Sequence, residues 1–132
     1  MSAITVAAAV VERGGAFLVT RRRKGTHLAG FWEFPGGKCE PGESCAACLQ
    51  REMREELAVD VIVGEEMLAT FHAYADRRVE LHFLRCALAG EPEPQLGQPM
   101  RWVPRAALRR LRFPPADGEL IRRLAGGRRP AR

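Results

Sequence analysis

The chain has 132 residues, 46% of them hydrophobic, and a formal charge of +5. That length can bury one compact core and predicts a single α/β domain over 1–125, followed by a disordered basic tail at 126–132. Internal repeats and low-complexity tracts are absent, and the apolar start at 3–11 lacks a basic flank and is too short to span a membrane, so it reads as a strand of a cytoplasmic protein.

Residues 4–12 and 16–22 read as strands joined through Gly14-Gly15, a hairpin signal. Next comes Glu33-Phe34-Pro35-Gly36-Gly37-Lys38, a short apolar segment ending in two glycines that let backbone groups approach a bound ligand. Pro41-Gly42 then breaks the chain and Ser44 supplies an N-cap. The segment 45–57 holds neither Gly nor Pro and is rich in Ala, Leu, Met, Glu and Arg, which predicts a helix.

At about 100° per residue, Ala46, Leu49, Met53 and Leu57 share the core face of that helix while Glu52, Glu55 and Glu56 gather on another. Carboxylates so spaced repel by a few tenths of a kcal/mol per pair on an open helix surface, and by more when desolvated. A hard, oxygen-loving cation removes that penalty. Mg²⁺ fits best, with Mn²⁺ as a common stand-in. Taken alone, the helix also reads as a solvated charged face.

Further along, 61–63, 68–74 and 79–87 read as strands, 91–99 as a loop, 104–111 as a short helix and 117–124 as a last one. Strands interleaved with helices on either side give an α/β sandwich. The basic residues are nearly all arginine, and a basic surface attracts polyanions such as nucleoside triphosphates or nucleic acid. Of the four cysteines, Cys45 and Cys48 have C-x-x-C spacing, and with Cys39 and Cys86 they raise zinc or a redox pair as a reading. Small, half-buried thiols are the expectation, because no second close pair follows and His27, His72 and His82 lack ligand spacing.

These residues resemble the Nudix hydrolases, whose box reads G-x5-E-x7-R-E-U-x-E-E-x-G-U with U a bulky aliphatic residue. Gly37, Glu43, Arg51, Glu52, Met53, Glu55, Glu56 and Val59 stand at the required steps, and Ala58 replaces the last glycine. An Ala there resists a left-handed conformation, so a local change in the turn is expected. The resemblance looks closest to the MutT-like branch, which cleans oxidised nucleotides from the precursor pool. Thr20-Arg21-Arg22, His27, the run from Phe31 to Gly37 and Phe113-Pro114-Pro115-Ala116-Asp117 follow that branch, so the similarity extends from about Ile4 to Leu124.

The resemblance implies a Nudix α/β/α sandwich with a mixed β-sheet, and hydrolysis of a nucleoside triphosphate to a monophosphate and pyrophosphate. It implies Mg²⁺ held by Glu52, Glu55, Glu56 and the backbone carbonyl of Gly36, with Arg51 orienting a neighbouring glutamate and Glu43 supporting the set. Arg22, His27, Glu33, Phe34, Pro35, Gly36, Arg77 and Asp117 fall to the substrate side. Phe31, Trp32, Phe34 and Phe113 could each stack on a base or belong to the core, and Trp102 reads as core. A nucleic acid duplex and a membrane are not expected as partners, and monomer and homodimer both stay open.

Two departures bear on activity. MutT-like enzymes often carry a glutamate just ahead of a Gly-Gln-Pro run. Here the run is Gly97-Gln98-Pro99 and the preceding residue is Leu96, which leaves the catalytic base open between the box glutamates and Glu91 or Glu93. The oxidised-guanine specialists end Phe-Pro-Pro-Ala in asparagine, whereas Asp117, when ionised, only accepts hydrogen bonds. A carboxylate suits exposed N–H groups on cytosine, adenine or the Watson–Crick edge of guanine. The expected function is therefore sanitation of oxidised nucleotides such as 8-oxo-dGTP, with hydrolysis of CTP, dCTP or modified pyrimidine triphosphates as the alternative. A Nudix enzyme for another diphosphate and a catalytically silent nucleotide-binding module are further alternatives.

Overall fold

A computed structural model describes residues 3–126, so the expected tail beyond Gly126 lies outside the described residues. The elements in chain order are β1 (Ala3–Val10), β2 (Glu12–Arg13), β3 (Ala16–Arg21), β4 (Trp32–Glu33), β5 (Gly36–Lys38), α1 (Cys45–Leu57), β6 (Val61–Ala73), β7 (Arg78–Leu88), β8 (Met100–Pro104) and α2 (Gly118–Ala125). Short 3-10 turns at Arg105–Arg110 and Pro115–Asp117 precede α2. The short helix expected at 104–111 is the first of these turns.

The expected mixed sheet has the order β5-β1-β7-β6, with β1 parallel to β7 and antiparallel to β5. A second, antiparallel sheet places β3 between β2 and β4 and also pairs it with β8. Gly14-Gly15 does make a hairpin, but between β2 and β3; β1 belongs to the other sheet. The chain changes sheets at Val11, so one apolar run serves two layers. The strands expected at 61–63 and 68–74 are one strand, β6, whose register shifts around Glu66. Such irregularities bend a strand without ending it.

Alternation along the strands builds two cores. Ala7, Ala9, Val11 and Leu18 face α1 and pack with Cys48, Leu49, Met53 and Leu57. Ala8, Val10, Phe17 and Val19 face the other way, toward Phe34, Phe83, Leu108, Leu120 and Leu124. Strands buried on both faces read as continuous apolar runs, which is why β1 shows no polar alternation. Leu49, Met53 and Leu57 are fully buried, each contributing about 1.5–3 kcal/mol by leaving water.

Helix α1 spans the residues its sequence predicts. The Ser44 hydroxyl accepts from the Ala47 amide at 3.1 Å, closing its first turn. At its end Ala58 takes the left-handed conformation (φ 51°, ψ 39°), and the amides of Ala58 and Val59 bond to the carbonyls of Arg54 and Met53. The turn keeps the shape a glycine would give it, at a steric cost of roughly 1 kcal/mol.

Candidate active site

The register of β1 with β5 sets Ala8 opposite Gly36 and Ala7 opposite Gly37, directly beside α1. Both glycines are there for close approach. A Cβ on Gly36 would run into the Ala7 carbonyl, and one on Gly37 would run into the Glu52 carboxylate. The helix therefore lays its acidic face against bare backbone.

Arg51 organises that face. Its Nε and Nη2 donate to the two oxygens of Glu43 at 2.8 and 2.9 Å, Nη2 also donates to the Lys38 carbonyl at 3.1 Å, and Nη1 donates to Glu52 at 3.0 Å. Glu43 also accepts from the Glu40 amide at 2.9 Å. Hydrogen bonds from Arg51 and that amide hold its carboxyl down at about 2. Glu52 is pulled both ways, by burial that raises it and by Arg51 that lowers it, and burial prevails.

Glu55 is exposed and reaches Arg51 at 3.4 Å. Glu56 lies deeper, pushed up to about 8 by burial first and then by the negative charges of Glu52 and Glu33. Among the described residues, no three His, Cys, Asp or Glu side chains are already gathered around one metal position. Glu52 and Glu55 are turned toward the Arg51 guanidinium.

A cavity of about 490 Å³ opens beside Glu56. Val6, Phe34, Leu81 and Phe83 give it apolar walls, while Arg22, His27, Glu33, Glu56, Arg77 and Asp117 bring polar groups from six separate stretches of chain. Phe34 stacks on Phe113 (centroids 5.4 Å apart) and meets Phe83 edge-on at 6.1 Å. Arg22 donates to Glu33 at 2.7 Å and to the His27 carbonyl at 2.5 Å, closing the 22–33 segment on itself. His27 packs edge-on against Tyr74 at 5.3 Å.

Asp117 is 5% exposed. Burial first, and then Glu33, push its carboxyl up to about 7, against the pull of Arg22. Near neutral pH this side chain can donate as well as accept.

The structure thus gathers Arg22, His27, Glu33, Phe34, Gly36, Glu56, Arg77 and Asp117 around one cavity. Pro35 is fully buried and does not line it; its carbonyl accepts from the Ala9 amide at 2.7 Å. Trp32 is core, and Trp102 is half-buried beneath Arg13. Glu91 pairs with Arg13 at 3.0 Å and Glu93 is exposed, and neither lines the cavity. Cys48 and Cys86 are buried rather than half-buried, while Cys39 and Cys45 are intermediate.

Sequence reasoning missed Tyr74, Asp76 and Gln98. The first two line the cavity from the turn between β6 and β7. Gln98 is buried and donates to the Glu56 carbonyl at 3.1 Å, fixing the end of the Gly-Gln-Pro run to α1. A buried glutamine in a loop is a signal only once its partner is known.

Residues 6–123 match the model of the NUDIX domain family. The chain is 36% identical to the 8-oxo-dGTP diphosphatase of Haemophilus influenzae over 124 residues, covering 92% of this chain and 90% of that one. It is 43% identical to the CTP pyrophosphohydrolase of Escherichia coli over 82 residues, 62% of this chain and 61% of the length of that protein. Its fold superposes on the solution structure of the E. coli ORF135 protein with a TM-score of 0.86 at 33% identity, covering 100% of this chain and 96% of that one. The chain belongs to the Nudix family.

Proposed function

We propose that this member of the Nudix family is a Mg²⁺-dependent pyrophosphohydrolase that cleaves nucleoside triphosphates to a monophosphate and pyrophosphate, removing oxidised nucleotides such as 8-oxo-dGTP. The observation that carries the reading is the shared cavity: one wall presents the acidic face of α1 through Glu56, and the opposite side offers Phe34, Phe113 and buried Asp117 to a base. A cavity of mixed walls with convergent polar groups and a carboxyl pushed far from its ordinary value is what a catalytic pocket requires.

The residues present fit a divalent cation. Glu52 and Glu56 crowd each other with only one guanidinium nearby, and the Gly36-Gly37 cradle leaves space that a Cβ would fill. Glu52, Glu55, Glu56 and the Gly36 carbonyl would hold it. When bound, the cation offsets the charge of the phosphate chain that repels an attacking water.

Arg51 keeps Glu52 aimed at the Gly37 backbone, and its bonds to Glu43 and the Lys38 carbonyl stop it from following the substrate. Arg22, anchored by Glu33 and the His27 carbonyl, brings a positive charge to the cavity for a phosphate or base. Glu56 is the box carboxylate that lines the cavity and is the group set to take the proton of the attacking water. Leu96 supplies no carboxylate for that task.

Asp117 supports a second reading, hydrolysis of CTP, dCTP or modified pyrimidine triphosphates. An ionised carboxylate accepts from the exocyclic amine of cytosine, and a curated relative is named for CTP.

Pyrophosphate release with Mg²⁺ from a panel of 8-oxo-dGTP, dGTP, CTP, dCTP, 5-methyl-dCTP and ADP-ribose tests both, with Glu56→Gln as control. Preference for 8-oxo-dGTP over dGTP supports the first reading and preference for cytosine nucleotides the second. Absence of Glu56-dependent turnover on every substrate would overturn the hydrolase reading.

A further inference from the structure

A second, smaller cavity of about 190 Å³ meets the first at Glu56. Glu56, Arg22 and Glu33 line both, so the two spaces adjoin around one carboxylate. Their chemistry differs. The larger has apolar and aromatic walls, whereas the smaller is bounded by Thr20, Arg21, Arg23, Thr26, Leu96 and Gln98, with no aromatic side chain.

Three successive residues, Arg21, Arg22 and Arg23, bring their charges to this small space. Arg22 is neutralised by Glu33, and Arg21 donates to the Gly30 carbonyl at 3.1 Å. Arg23 is exposed and has no acidic partner among the described residues. A compact cavity with hydroxyl, amide and guanidinium donors and no stacking surface suits a small polyanion rather than a base.

We propose that the smaller cavity is the seat of the terminal phosphates, with Arg23 as their principal contact, so that the substrate runs from base to pyrophosphoryl end across Glu56. The inference rests on the triphosphate reading above and deepens it, since it explains selection of triphosphates over diphosphates. It also gives Leu96 a role. A carboxylate at that position would add negative charge to the wall of a phosphate site, whereas leucine leaves the potential to the arginines.

Inorganic pyrophosphate is the probe. Its affinity in Mg²⁺ buffer is measured by calorimetric titration for the wild type, Arg23→Ala, Leu96→Glu, and Arg109→Ala as an exposed arginine outside both cavities. Arg23→Ala is expected to weaken pyrophosphate binding roughly tenfold, the scale of one charge-assisted hydrogen bond. Leu96→Glu should weaken it too, and Arg109→Ala should match the wild type. In turnover, Arg23→Ala should raise KM for CTP while KM for CDP stays near the wild-type value.

Unchanged pyrophosphate affinity in Arg23→Ala, equal loss in Arg109→Ala, or no binding by the wild type would overturn the proposal. Pyrophosphate bound in an Arg23-dependent way by a protein that hydrolyses no triphosphate would overturn the hydrolase reading and leave the phosphate seat standing.

Discussion

Arg51 grips both carboxylate oxygens of Glu43, at 2.8 and 2.9 Å, and reaches Glu52 with the same guanidinium at 3.0 Å. A planar fork can serve two carboxylates at once, and an ammonium cannot. Arg51→Lys should therefore fold normally yet release its hold on Glu52. We expect kcat to fall by roughly ten- to a hundredfold, the effect of removing one strong hydrogen bond from the transition state, with a smaller change in KM. Steady-state kinetics beside a thermal melt checks this; a KM-only effect would place Arg51 in substrate binding instead.

Ala58 holds φ 51° at the end of α1. Glycine adopts that conformation without the Cβ penalty, and the core is left intact because Ala58 is exposed. Ala58→Gly should stabilise the protein by about 0.5–1 kcal/mol, read as a higher midpoint in urea at unchanged slope. A lower midpoint would mean that the added freedom of the unfolded chain outweighs the relief of strain.

Asp117 links stability to pH. Its carboxyl titrates at about 7 when folded against an ordinary 3.8. Between those values the folded state keeps a proton that the unfolded state has released, so stability falls as pH rises from about 4 to 7 and levels off above. The Asp117→Asn variant removes this dependence. It should gain on the wild type by an amount that grows through that window to a few kcal/mol at most. Denaturant midpoints across pH 4–8 decide it, and a gap that stays constant with pH would refute the assignment. The amide also offers a donor at every pH, so the variant should favour 8-oxo-dGTP over dGTP more strongly than the wild type does at pH 8.

His82 sits between Glu66 (2.5 Å) and Glu80 (2.9 Å) on the sheet. Burial works against its charge, but the bonds to these two carboxylates prevail and its pKa is raised. A histidine raised in this way stabilises fully below its ordinary value near 6.5, and the contribution is lost as pH climbs through the folded value. His82→Gln should thus cost more stability at pH 6 than at pH 9. Following the ring protons by NMR gives the titration directly, and a midpoint below 6.5 would sink the claim.

Some of this was legible along the chain because its cause is local. The i, i+3, i+4 spacing fixes Glu52, Glu55 and Glu56 to one face of α1 wherever the helix packs, and Ser44 and the Leu49-Met53-Leu57 stripe set its ends and its buried side. Gly36 and Gly37 are needed because backbone and helix meet there, and their place in the box says so.

What the sequence could not determine was every partnership between distant segments. Residues 4–12 and 16–22 looked like one hairpin, yet β1 pairs with β7 and β5, because a strand buried on both faces gains more between two layers than at the edge of one. Glu91 could have swung toward Glu56, but Arg13, far away in sequence, holds it at 3.0 Å. The unusual character of Glu56 and Asp117 is tertiary for the same reason. Their charge state depends on the water excluded and the carboxylates brought near by other elements, and neither quantity is written in the residues beside them.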